Sequence, residues 1–238
     1  MVKRRFRPSW VNTLLTIVGV AILSFLGFWQ LDRAEQKQQL EEAVEARMKG
    51  APLEITGALG ESETEQFRRL IVQGEYAGKH EILLDNATWN AKAGYHVITP
   101  LRIKDSTRYV LVNRGWVPVG ADRQIIPETN VPEGELVIEG RLGRIKGKPA
   151  FISDKLPPDN SGGKVWFYLD ADYFSKKTGL VIEPYLLLLS KKSNGGYVRE
   201  WPDYEGRYGM HMAYAVQWFS FALFALFIYI WVSVKKYE

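Results

Sequence analysis

Cysteine is absent from the 238 residues, which removes disulfide frameworks, cysteine-held metal clusters, covalent c-type haem attachment and thiol catalysis together. The redox compartment stays open, because a reducing cytosol and an oxidising periplasm both tolerate a cysteine-free chain. Histidine is scarce: His80, His96 and His211 stand far apart and match no metal-ligand spacing. Neither a GxSxG elbow nor an HExxH pair occurs, and RLGRIKGKP (141–149) lacks the GK[ST] ending of a phosphate-binding loop. Catalysis is therefore not expected of this chain. An enzyme here would need a perturbed acid pair, for which Asp85, Asp105 and Glu139 are the available carboxylates.

A bulk positive field is missing too, although the formal net charge is +4. Lys3, Arg4, Arg5 and Arg7 precede the first apolar run and Lys235 and Lys236 follow the last one. Residues 33–211 hold 25 basic against 25 acidic side chains, intermixed. Nucleic acid is excluded as a partner on this pattern, since phosphate binding needs a concentrated basic surface.

Long apolar runs are what the sequence has. No charge occurs from Pro8 to Leu31, nor from Met212 to Val234, and about 20 helical residues cross a ~30 Å hydrocarbon layer. The bulky FWQLDR after the first run is unlike a small-residue cleavage site, so that run reads as an uncleaved anchor. Basic residues outside both runs place the termini in the cytoplasm and the middle outside. The short start MVKRRFRPSW leaves little room for a presequence and favours a bacterial inner membrane. The expected organisation is a basic N-terminus (1–9), a first span (10–31), a helical extension (32–50), a periplasmic β-rich domain (51–207), a second span (208–234) and a cytoplasmic tail (235–238). The lipid bilayer is thus one partner.

Between the spans, seven runs rich in Val, Ile, Leu and Tyr are broken by Gly, Pro, Asn and Asp: FRRLIVQGEY, HEILLDNATW, YHVITPLRI, TRYVLVNRGWVP, GELVIEGRLGRI, KVWFYLD and PYLLLLSKK. ADYFSKKTG reads as a short helix, with Asp170 able to cap it and Gly179 able to end it. The fold class expected is a membrane protein in which two transmembrane helices flank an antiparallel β-rich, barrel or sandwich-like domain carrying one short helix.

His211 heads the second span. On a helix it shares a face with Tyr214, Ala215, Trp218 and Ala222, an imidazole beside flat aromatic walls and small residues. Such a face suits a planar, apolar, iron-bearing ligand; His, Tyr and Trp are also ordinary anchors at a membrane interface. The first span ends at the same boundary with Phe28, Trp29, Gln30 and Arg33, and Gln217 falls in the same leaflet as Gln30, where amides seek partners across helices.

LGFWQLDRAEQK (26–37), AGYHVITPL (93–101), VNRGWVP (112–118), GELVIEGRL (134–142), VWFYLD (165–170) and HMAYAVQWFSFAL (211–223) occur in this order between and within the spans. In these strings the chain resembles the surfeit locus protein 1 family of cytochrome oxidase assembly factors, almost end to end. The resemblance implies a role in maturing the catalytic subunit of haem-copper cytochrome c oxidase, with haem a bound transiently and passed on, and haem a synthase as a further partner. It implies His211 as the iron ligand, and Trp29, Gln30 and Arg33 match its first-span motif; together with Tyr214, Gln217 and Trp218, read from the second span itself, they are expected to line a haem site between the spans. Asn113, Arg114, Gly115 and Trp116 match its central motif and are implied to bind a partner. The alternative is a haem-free scaffold that holds the immature subunit, with His211 as an interface anchor and NRGWVP as a binding loop or a structural turn.

Overall fold

A computed structural model describes residues 3–55, 66–120, 122–150, 152, 156–159, 163–202 and 204–237. In chain order its elements are β1 (Lys3–Phe6), α1 (Trp10–Lys49), β2 (Leu53–Ile55), β3 (Arg69–Tyr76), β4 (Ile82–Trp89), β5 (Lys92–Ile103), β6 (Arg108–Pro118), β7 (Glu135–Arg144), β8 (Val165–Trp166), α2 (Ala171–Thr178), β9 (Val181–Leu189), α3 (Tyr208–Ser233) and β10 (Val234–Tyr237). Two compact units divide the chain, Met1–Ala43 with Tyr204–Glu238, and Val44–Asp203.

The first unit is a pair of helices long and apolar enough to cross a membrane. Helix α1 runs unbroken for 40 residues, because the good helix formers of 32–49 carry on where the apolar run stops, until Gly50 and Pro52. Helix α3 lies antiparallel to it, as contacts along both lengths require. Thr13 Oγ1 meets the Tyr229 hydroxyl at 2.9 Å, the Phe28 and Phe219 rings meet edge to face at 5.2 Å, and Gly206 lies against Lys37 and Glu41. Ala215 and Ala222 are buried on α3 and Gly27 on α1. Small residues let helix backbones approach in lipid, where dispersion replaces the hydrophobic effect as the glue. Strands β1 and β10 pair antiparallel, Phe6 opposite Val234 and Lys3 opposite Tyr237. This mini-sheet was not anticipated from the composition of the two short tails.

The second unit is one sheet in the order β2-β3-β7-β9-β6-β5-β4-β8, and a further pairing of β3 with β5 closes β3, β7, β9, β6 and β5 into a barrel. All seven anticipated strands form, although KVWFYLD contributes only Val165 and Trp166. Pairing is largely antiparallel, with parallel pairs at β2–β3, β4–β8 and β6–β9. Closure depends on a close approach: a Cβ on Gly74 would lie 2.0 Å from the Arg102 carbonyl oxygen. The run of four leucines in β9 is explained by cover on both faces. Tyr185, Leu187 and Leu189 point into the barrel with Leu70, Val72 and Val112, while Leu186 joins Leu111, Trp166 and Phe174 of α2 outside it. Asp170 caps α2 by accepting from the Tyr173 amide, and Gly179 ends it in the left-handed conformation.

Candidate functional site

Gln30 sits near the end of the apolar part of α1 and His211 in the first turn of α3. Antiparallel packing brings their side chains together, with His211 Nδ1 2.8 Å from Gln30 Oε1. A carbonyl oxygen only accepts, so Nδ1 carries the proton and donates. The lone pair of the neutral ring then resides on Nε2. An acceptor that fixes the tautomer and orientation of an imidazole is the usual second partner of a metal-binding histidine, and losing it typically costs about 10–100-fold in affinity.

Trp29 is 44 % exposed and Tyr214 47 % exposed, so each presents an open ring. The Arg33 guanidinium lies over the Trp29 ring at 5.8 Å and donates to Gln36 Oε1 at 2.9 Å, while Gln36 donates to Asp32 at 2.8 Å. These contacts form a short chain along the surface of α1. Trp218 is half-buried and Gln217 is exposed. The expected cross-helix amide partnership is thus made by Gln30 with His211, and Gln217 stands on the outer flank.

The donor set fits a planar ligand, since an oriented imidazole offers Nε2 among aromatic faces with an arginine nearby. Two turns deeper than His211, Phe219 packs against Gly27, where even an added Cβ would come within 2.7 Å of the ring. Phe219 and Gly27 were not singled out in the sequence; a glycine among bulky span residues was the signal that a ring from elsewhere fills its place.

The central motif takes a different place. Val97 pairs with Gly115 and Ile98 with Asn113, so Arg114 is an extra residue in β6, a β-bulge. Gly115 has φ +121°, where a Cβ would meet the Val198 carbonyl oxygen at 2.7 Å, and the Asn113 side chain accepts from its amide at 3.1 Å. The bulge turns Arg114 inward, 1 % exposed. Its guanidinium donates to Glu81 at 2.9 Å, to the Asn130 carbonyl at 2.5 Å and to the Gly195 carbonyl, between the rings of Tyr76 and Tyr197. Trp116 is buried and donates to the Ala87 carbonyl, and its backbone pairs with Val198. Asn113, Arg114, Gly115 and Trp116 are all buried, and they tie the segment after β9 to the barrel.

Glu81, 5 % exposed, is the acid of that network. Burial alone would raise its pKa, but hydrogen bonds from Thr129 and Thr99 and the charge of Lys164 outweigh this and hold it below the usual carboxylate range. Tyr76, buried beside Arg114, is pushed up to about 12 by desolvation. His96 packs on Trp201 with ring centroids 5.6 Å apart, and burial lowers its pKa despite the opposing Gly115 carbonyl.

Residues 17–223 match the family model described as the SURF1 family. A SURF1-like protein of Caenorhabditis briggsae is 26 % identical over 96 % of this chain and 77 % of its own length. Surfeit locus protein 1 of Xenopus tropicalis is 28 % identical over 92 % of this chain and 73 % of its own. A SURF1-like protein of the bacterium Rickettsia prowazekii is 25 % identical over 91 % of this chain and 87 % of its own.

Proposed function

This chain belongs to the SURF1 family, and on that premise we propose that it assists assembly of haem-copper cytochrome c oxidase by holding haem a for the catalytic subunit. It sits in a bacterial inner membrane with both termini cytoplasmic and the β-rich unit periplasmic. It receives haem a from haem a synthase and gives it to the oxidase subunit. Haem a is cargo in this scheme, so the chain's residues bind, orient and shield, and make or break no covalent bond.

One observation carries the reading: the 2.8 Å contact of Gln30 with His211 Nδ1, which leaves Nε2 as the ligand atom. Trp29, Tyr214 and Trp218 supply flat apolar faces for a macrocycle, and Arg33 pairs with a carboxylate at the membrane edge. Affinity is set by a single protein ligand on an open flank, which permits release as well as capture.

The test is the Soret absorbance of the detergent-purified protein from cells that make haem a, compared with His211→Ala. Wild type retains haem and the variant loses it; equal haem content removes His211 from the role. The scaffold reading is favoured by the close packing of Phe219 on Gly27, which leaves the helices a finished pair without cargo. Co-purification of the oxidase subunit from haem-deficient cells at wild-type yield, with no Soret band in haem-replete cells, would establish it instead.

A further inference from the structure

Away from the helix pair, the β-rich unit has a pocket of about 370 Å³ between the turn at Gly78–His80, the start of β4, β8 and α2. That volume accommodates a small organic molecule. Its floor is apolar, made by the buried Trp166 and Phe174 with Ile82. Its rim is mainly cationic: Lys79, Lys164 and Lys177 line it with His80 and Thr178, and one carboxylate, the buried Glu81, also lines it.

The charges do not cancel within the site. Lys177 pairs with the buried Asp159 while lying 5.7 Å from the centre of the Trp166 ring. Lys164 reaches Glu81 at 3.0 Å, but Glu81 already accepts from the fully buried Arg114 at 2.9 Å. Two carboxylates thus serve three cations, and Lys79 adds a fourth at the exposed lip. Desolvation first and the charge of its chain neighbour Lys79 second lower the His80 pKa. Half-buried ammonium groups over an aromatic floor interact more strongly with an anion than the same groups would in open water.

We propose that this pocket binds a small organic oxyanion, a phosphate or carboxylate on a flat apolar body, with the anionic group held by Lys79, Lys164 and Lys177 and the body on Trp166 and Phe174. The site is independent of the haem reading, and nothing in it needs His211. Lys79 is the most informative position to change, because it is exposed at the lip, outside the Glu81 network.

The experiment is isothermal titration of the full detergent-solubilised chain with phenyl phosphate, which has both parts of the proposed ligand. Saturable one-site binding is expected, at least ten-fold weaker in Lys79→Glu and unchanged in Lys92→Glu, an exposed lysine at the start of β5 outside the pocket lining. Inorganic phosphate is expected to bind at least ten-fold more weakly than phenyl phosphate, because it lacks the body that covers Trp166. The titration is repeated in phosphatidylcholine nanodiscs with and without phosphatidic acid. Competitive loss with that lipid supports a phosphorylated headgroup as the natural occupant, and unchanged affinity supports a soluble anion. No saturable binding, equal weakening by Lys79→Glu and Lys92→Glu, or equal affinity for inorganic phosphate would each overturn the proposal. An unchanged near-ultraviolet circular dichroism spectrum of Lys79→Glu confirms that its binding loss is not unfolding.

Discussion

Replacing Arg114 by methionine tests the claim that the central motif acts from inside the domain. The substitution keeps an unbranched apolar stem and deletes a guanidinium that donates to Glu81, to the Asn130 carbonyl and to the Gly195 carbonyl. Removing one member of a buried ion pair costs about 3–5 kcal/mol, because the other charge stays buried. Lys164 still compensates Glu81 at 3.0 Å, which places this part at the low end. The carbonyls of Asn130 and Gly195 belong to exposed residues and can turn to water, so their loss adds little. The total, about 3 kcal/mol, is a large part of the whole stability of many domains, and corresponds to a melting point lower by roughly 6–12 °C for a unit of this size. The assay is near-ultraviolet circular dichroism of the detergent-solubilised chain during heating, which reports the packing of Trp116 and the tyrosines. A variant melting within about 2 °C of wild type would refute the reasoning.

Gln30→Leu should reduce haem retention by about 10–100-fold while Gln30→Glu, which keeps an acceptor for Nδ1–H, should largely restore it; Soret absorbance per polypeptide measures both. The fold pH dependence has a defined sign at His96. Its pKa is lowered in the folded state from the ordinary 6.5, so the unfolded chain takes up a proton first as the pH falls, and stability declines below about that value. His96→Phe should flatten the fall in melting temperature between pH 7.5 and 5.5, and an unchanged slope would remove His96 as its source. Glu81 acts in the same direction at lower pH: its depressed pKa stabilises the fold above the ordinary 4.5 and that stabilisation is lost as the pH falls further.

The two helices, the seven strands and the capped α2 were legible in the sequence because each rests on local information. An uncharged run of span length, a change to β-branched residues between turn formers, or an Asp and a Gly at opposite ends of ADYFSKKTG specifies its element without reference to anything distant. The approach of Gln30 to His211 was partly legible, as both fall near one boundary of antiparallel spans. That Gln217 is exposed was not, because a rotation of α3 about its axis decides which residues face α1, and a nearly uniformly apolar helix carries little record of that angle.

Taken alone, the order of residues determined what could be inserted in a bilayer, what must pair as strands, and that no thiol chemistry is available. Only the tertiary structure decided that β3 meets β5 to close the barrel, that Phe219 packs on Gly27 between the spans, and that the bulge at Arg114 buries the central motif. The reason is common to all three. Covalent neighbours set local conformation and burial pattern, whereas register, helix rotation and the direction of a bulged side chain depend on contacts between residues tens to more than a hundred positions apart.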